Sequence, residues 1–193
     1  IGGPGATKDF VVKNDYFHHE IKKLIAEPFF DVGYSNESGL RELVQRAGST
    51  MDQIELDVER TIVDRFLQEV MQANPKATYG EVMIRSALDQ GAVETLLISE
   101  AVTKRRVKWI CKECKNTWKT SHDKSSAPPN CPQCGSDKAF EDEEDSMELI
   151  DELTVLAGHT SAKVRIISLD TEEGATLNTA FGGIAALLRY AIS

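Results

Sequence analysis

All four cysteines of the chain fall in two pairs, Cys111-x-x-Cys114 and Cys131-x-x-Cys134, with sixteen residues between the pairs. Thiolates are soft donors, and two residues between sulfurs let both bend around a single ion. Two such turns supply the corners of a tetrahedron, and this spacing lies inside the C-x2-C…C-x2-C window for zinc. Pro132 and Gly135 suit the second turn, one fixing φ and the other tolerating a tight exit, whereas the first turn carries Lys115 in the glycine's place. Four thiolates leave a metal no open position for water, so the spacing predicts one structural zinc per chain. Disulfide bonds, a redox-active dithiol and unliganded thiols are the competing readings of the same sulfurs. His122 is read as a solvated loop residue rather than a replacement ligand. The polar stretch 115–130, with Pro128-Pro129, has too few apolar groups to fold without a staple.

Charge is polarised around the cysteines. Residues 104–124 hold eight basic and two acidic side chains (8 − 2 = +6), and residues 137–152 hold nine acidic and one basic (1 − 9 = −8). Two readings stand. Either the segments lie side by side and neutralise one another, or a basic face with Lys112, Lys115, Trp118 and Lys119 touches RNA or an acidic partner.

Other chemistry finds little support. Gly2-Gly3-Pro4-Gly5-Ala6-Thr7-Lys8 lacks the G-x-x-x-x-G-K-[ST] spacing of a phosphate loop. His18-His19 has no second ligand pair at helical spacing. No G-x-S-x-G nucleophile turn is present, and the acidic residues mark no catalytic dyad. The residues read as a binding and scaffold piece, with no catalytic residue assigned.

The elements that must position the cysteines form an α/β pattern. The Gly/Pro turn at the start reads as the tail of a unit begun upstream. A helix is expected over Asp15–Ala26, with Asp15 as N-cap, Phe17, Ile21, Leu24 and Ile25 at helical spacing and Pro28 as a stop. A short strand, Phe29–Val32, follows. From Ser38 an apolar period runs Leu40, Leu43, Val44, Ala47, Met51, Ile54, Val58, Ile62, Phe66, Val70, about nine turns at 3.6 residues per turn. It is either one long helix or two meeting at the weak point Gly48-Ser49, with a helical hairpin as the plainest alternative. Asn74-Pro75 ends it. Thr78 and Glu81 read as a capping box opening a helix that stops at Gly91. A buried strand is expected over Ala92–Ile98, a helix over Met147–Leu156, a strand over Val164–Ser168, a helix over Thr171–Ala180 and a last strand over Ile184–Ile192. Residues 79–193 thus read as a small α/β/α domain interrupted at 107–141.

Composition sets the outer limits. With 193 residues and 41% hydrophobic side chains, the chain can bury a sizeable core and is not wholly disordered. A net charge of −9 makes it a poor bulk binder of DNA, so any nucleic-acid contact must be local. The longest apolar stretches, such as Ala185–Leu188, fall far short of the ~18–20 residues of a membrane span, and no signal-like start is seen. A cytoplasmic protein is expected.

Four stretches together resemble one family: Phe30-Asp31-Val32-Gly33-Tyr34-Ser35-Asn36-Glu37-Ser38-Gly39-Leu40, Ala87-Leu88-Asp89-Gln90-Gly91-Ala92-Val93-Glu94-Thr95-Leu96-Leu97-Ile98, Glu172-Glu173-Gly174, and Phe181-Gly182-Gly183-Ile184-Ala185-Ala186-Leu187-Leu188-Arg189-Tyr190. They are similar to the archaeal and eukaryotic class-1 peptide chain release factors, most of all the archaeal form, over nearly the whole chain. The Phe-Gly-Gly-Ile ending is the most specific. Pelota rescue factors share a similar ending, but a zinc ribbon inserted at this point is not expected in them.

The resemblance implies the later part of a three-domain translation-termination protein. Residues 1–51 would be the C-terminal part of the middle domain, and 52–193 the C-terminal α/β/α sandwich with 107–141 as an inserted zinc-ribbon mini-domain. The family reads stop codons through an N-terminal domain and triggers peptidyl-tRNA hydrolysis through a Gly-Gly-Gln loop, and Gly2-Gly3-Pro4 lacks that glutamine. The resemblance assigns this part to docking, on the ribosome, an elongation-factor-like translational GTPase and an ABC-type recycling ATPase, with an rRNA contact local to the ribbon. Phe181, Gly182, Gly183, Ile184, Arg189 and Tyr190 are the candidate partner residues. The bland alternative makes Gly182-Gly183 a turn into a buried strand with Ile184, Ala186 and Leu188 in the core. A pelota-type rescue factor and a zinc-ribbon enzyme acting on RNA remain as other functions.

Overall fold

The computed structural model describes residues 1–14, 16–25 and 27–192, with only the backbone of Ser49. The chain divides into two compact units, Ile1–Val58 and Glu59–Ser193.

In the first unit, β1 (Gly2–Gly3) pairs in parallel with β2 (Phe30–Asp31), with α1 (Thr7–Lys13) and α2 (His19–Lys22) between them. The expected N-cap Asp15 and the end point Ala26 lie outside the described residues. Within that span the helix is a single short turn, α2, and Leu24 is exposed. The expected strand shortens to two residues because only Phe30 and Asp31 find partners. Val32 is the one buried apolar side chain of this unit among the described residues. Lys8 donates to the Gly5 carbonyl at 2.9 Å and to Asp31 at 2.6 Å, so its ammonium is already partnered.

The long apolar period is one helix, α3 (Glu37–Val70), continuous through Gly48. Its stripe has two fates. Leu40, Val44, Met51, Ile54 and Val58 are exposed, whereas Val63 and Phe66 are fully buried in the second unit.

The second unit is built on a four-stranded mixed sheet ordered β3 (Ala77–Tyr79), β9 (Ile184–Leu188), β4 (Val93–Ser99) and β8 (Lys163–Ile167). β9 runs antiparallel to both neighbours, and β4 and β8 are parallel. Alternating side chains feed two cores. Val93, Leu96 and Ile98 of β4, with Ile184, Ala186 and Leu188 of β9, pack on α4 (Glu81–Asp89) and α5 (Leu149–His159). Leu97, Ala185 and Leu187 face the other way, onto Val63 and Phe66 of α3 and Leu177 of α6 (Glu172–Phe181). Helices on both faces of one sheet make the three-layer α/β/α arrangement, buried on both sides as its continuous apolar runs require.

The remaining strands, β5 (Arg105–Cys111), β6 (Thr117–His122) and β7 (Ala139–Glu148), form a separate antiparallel sheet ordered β6-β5-β7. It is inserted between β4 and α5. Its strands extend beyond 107–141 at both ends, because Arg105 and Arg106 pair with Glu148 and Met147. The same pairing keeps Met147 out of the helix expected to begin there, and α5 starts at Leu149.

The capping box also gives way. Thr78 is paired within β3, opposite Ala186, and Gly80 is the N-cap of α4 without a side-chain cap. Edge pairing to β9 satisfies more backbone than one hydroxyl cap would. In α6, by contrast, Thr171 is a true N-cap, its Oγ1 accepting from the Gly174 N–H at 3.0 Å.

Candidate metal centre and partner segment

The four cysteines converge. Their sulfurs all lie within 4.8 Å of one another, with Cys111 to Cys134 and Cys114 to Cys131 each at 3.6 Å. A tetrahedron with metal–sulfur bonds of about 2.3 Å has edges of about 3.8 Å, so the four sulfurs fit one ion. They are too far apart for disulfides, whose S–S bond is about 2.05 Å.

Two hairpin turns with matching hydrogen bonds build the site. The Lys115 N–H donates to the Cys111 carbonyl at 3.1 Å, and the Cys111 N–H to the Asn116 carbonyl at 3.0 Å. The second turn repeats both bonds, Gly135 to Cys131 at 2.9 Å and Cys131 to Ser136 at 2.8 Å. The residue after each second cysteine is left-handed, Gly135 at φ +74° and Lys115 at φ +61°. The geometry therefore demands glycine's conformation in both turns, and the first accepts lysine at a cost in strain.

Burial alone raises the Cys131 thiol, but N–H groups of Cys134 and Gln133 aimed at its sulfur bring it down to about 6. The Cys114 and Glu113 N–H groups likewise lower Cys111 against burial. The Ser136 N–H lowers Cys134, yet the crowded sulfurs of Cys114, Cys111 and Cys131, together with burial, push it up to about 12. Such a cluster holds its first negative charges readily and resists the last, which a divalent cation would offset. His122 is elsewhere, edge-on to Trp109 at 5.1 Å, with Nε2 3.1 Å from the Ser126 carbonyl oxygen.

The opposed charge runs lie side by side and pair. β5 and β7 bring Arg105 within 2.7 Å of Glu141 and Lys108 within 3.0 Å of Asp142, and Lys108 also meets Asp145. Lys124 pairs with Glu148 at 2.9 Å. Among the candidate contact residues, Lys112 and Lys115 sit exposed in the first cysteine turn without an ion pair among the described residues. Lys112 lies 5.8 Å from the centre of the Phe140 ring. Trp118, half-buried, and Lys119, exposed, lie on the edge strand β6.

The Phe181–Tyr190 segment divides between turn, core and surface. Phe181 is half-buried, edge-on to Phe66 at 5.0 Å and Tyr79 at 5.1 Å. Gly182 and Gly183 are both left-handed, at φ +70° and +77°, and both N–H groups end α6 on the Leu177 carbonyl. Ile184 is buried. Arg189 and Tyr190 are exposed yet engaged: Arg189 donates to Gly91, Thr160 and Ser161 carbonyls, and Tyr190 to the Gln90 carbonyl at 2.8 Å.

Sequence reasoning missed a cluster of Glu81, Arg85, Arg106 and Glu152. Its one legible signal was the i,i+4 pair Glu81–Arg85, at 2.8 Å.

Comparison with known proteins adds an independent line. A sequence profile for eRF1 domain 2 matches residues 1–53, and one for eRF1 domain 3 matches residues 56–192. "Peptide chain release factor subunit 1" of Methanococcoides burtonii is 40% identical over 195 residues, covering 98% of this chain and 46% of that protein. The chain thus spans about half the length of the curated relatives it matches. The solved "C-terminal domain of Peptide Chain Release Factor from Methanosarcina mazei" superposes with a TM-score of 0.67 at 38% identity, covering 82% of this chain and 98% of that one. A chain from a model of ribosome-bound archaeal Pelota and ABCE1 shares the fold, with a TM-score of 0.59 at 19% identity, covering 100% of this chain and 43% of that one.

Proposed function

Because the chain belongs to the eRF1 family, as its domains 2 and 3, we propose that it is the C-terminal part of a class-1 release factor acting in translation termination in the cytoplasm. The observation that carries this reading is the 40% identity over 98% of the chain to a protein named as a release factor subunit. Identity falls to 19% against the Pelota chain of the same fold, which favours termination over rescue.

In this reading residues 1–51 complete the middle domain and 52–193 form the partner-binding domain. Residues 107–141 are its zinc-ribbon mini-domain, with Cys111, Cys114, Cys131 and Cys134 around one structural Zn2+. The ion supplies no catalysis: it cross-links two turns in a segment with little apolar core of its own. Lys112, Lys115, Trp118 and Lys119 offer a small basic and aromatic surface to rRNA. Phe181, Gly182, Gly183, Ile184, Arg189 and Tyr190 contribute to the end of the domain that docks the translational GTPase and the ABC-type recycling ATPase. The Pelota relative that appears with ABCE1 on the ribosome is compatible with the second partner. Release chemistry is assigned to a Gly-Gly-Gln loop of the intact factor and to none of these residues.

The test is competition in trans. The chain, added to a termination reaction run by a full-length archaeal release factor, should bind the GTPase and slow release, and excess GTPase should relieve the block. No effect at saturating chain refutes the partner assignment.

A further inference from the structure

No residue of 105–148 belongs to either apolar layer of the α/β body. The insert has its own interior, made of Val107, Trp109, Cys111 and Cys131. What meets the body instead is charge. Glu81 and Arg85 of α4, Glu152 of α5 and Arg106 of β5 form a closed ring of alternating sign. Arg85 pairs with Glu81 at 2.8 Å and with Glu152, while Arg106 approaches Glu81 at 3.6 Å and Glu152 at 3.7 Å. The hydroxyl of Ser121, on β6, donates to Glu81. The four charged side chains are only 21–22% exposed. At the neck, the Leu149 N–H donates to the Lys104 carbonyl at 2.9 Å and ties the chain's entry into the insert to its exit.

The two halves of the ring differ. The body's Arg85 makes close hydrogen bonds, whereas the insert's Arg106 is held at ion-pair distance and its Nε is buried without a hydrogen-bond partner. An apolar interface tolerates sliding, whereas partly buried alternating charges select one register and lose most of their attraction once separated. A joint of this kind is specific in orientation and weak in adhesion.

We propose that the Glu81–Arg85–Glu152–Arg106 ring is a releasable latch. Closed, it fixes the cysteine-bearing insert in one orientation on the α/β body. Open, it lets the insert swing as an intact unit about the neck at residues 104 and 149 while both parts stay folded. The idea does not depend on the termination reading, since it concerns only how two parts of one chain are joined.

The test is 15N relaxation on the full chain charged with Zn2+, comparing wild type with Arg106→Met and Glu81→Gln. In wild type, amides of β6 and of β4 and β9 should share one rotational correlation time. In the variants the β6 amides should tumble faster than the body, with the body still cooperatively folded and the Co2+ charge-transfer spectrum of the cysteine site unchanged. A common correlation time in both variants overturns the latch. Loss of the metal spectrum or melting of the body in both also overturns it, because the ring would then be part of the folding core.

Discussion

The Arg189 guanidinium lies 2.9 Å from the Thr160 carbonyl oxygen at the end of α5, and 3.2 Å from that of Gly91 just past α4. One cation therefore serves the carbonyl-rich ends of two helices, where positive charge is favoured. Arg189→Met should lower stability by about 1 kcal/mol, the value of charge-assisted bonds discounted for solvent exposure. Urea unfolding measures it, and an unchanged midpoint would show the contact to be incidental.

Gly182 and Gly183 separate conformational cost from steric cost. At Gly182 an added Cβ meets nothing within 4 Å, so Gly182→Ala should cost only the left-handed backbone penalty, about 1 kcal/mol. At Gly183 the same atom would stand 2.7 Å from Val102 Cγ2. Gly183→Ala should cost clearly more, about 2–3 kcal/mol from strain and overpacking together. Equal losses in thermal unfolding would refute this ordering.

Chelation should act on one part of the second unit. Zinc contributes on the order of 10 kcal/mol to small metal modules, and the insert shares no apolar layer with the body. Stripping the metal should therefore abolish hydrogen-exchange protection in β5–β7 and leave β4 and β9 protected. Global collapse, or no change at all, would contradict the independence of the two parts.

Glu94 and Glu81 set the acid limb. Hydrogen bonds from Arg65, at 2.9 and 3.0 Å, hold Glu94 below its ordinary 4.5. Burial raises Glu81, but bonds from Ser121 and Arg85 and the charge of Arg106 outweigh it and leave the carboxyl lowered. A depressed folded-state pKa adds stability that is complete above the ordinary value and is lost as pH falls through the folded one. Stability should thus be flat near neutrality and fall below about pH 4.5. Glu94→Gln should make that fall shallower, as read by urea midpoints at stepped pH.

The body's strands and helices were legible in the sequence because β4 and β9 read as apolar runs and α5 and α6 as periodic ones. The two cysteine turns were legible to the residue, including the misfit of Lys115, since left-handed geometry belongs to the turn itself. Other features depended on partners far along the chain. Thr78 looked like a cap until β9, far along the chain, claimed it, with Leu187 opposite Ala77 and Ala186 opposite Thr78. Met147 looked helical until Arg106 paired with it. The exposure of Leu40, Val44 and Met51 was invisible too, because a period tells which residues share a face and not what covers it.

The position of β9 bears on biosynthesis. It follows the other three strands of its sheet in sequence, yet it is flanked by β3 and β4 and supplies side chains to both cores. As the nascent polypeptide leaves the ribosomal tunnel, everything up to α6 must wait with the middle of its sheet vacant. A premature stop or a proteolytic nick just ahead of Phe181 would leave two helical layers facing each other across a gap between β3 and β4, making the stretch from Phe181 to Leu188 a checkpoint on whether the domain forms.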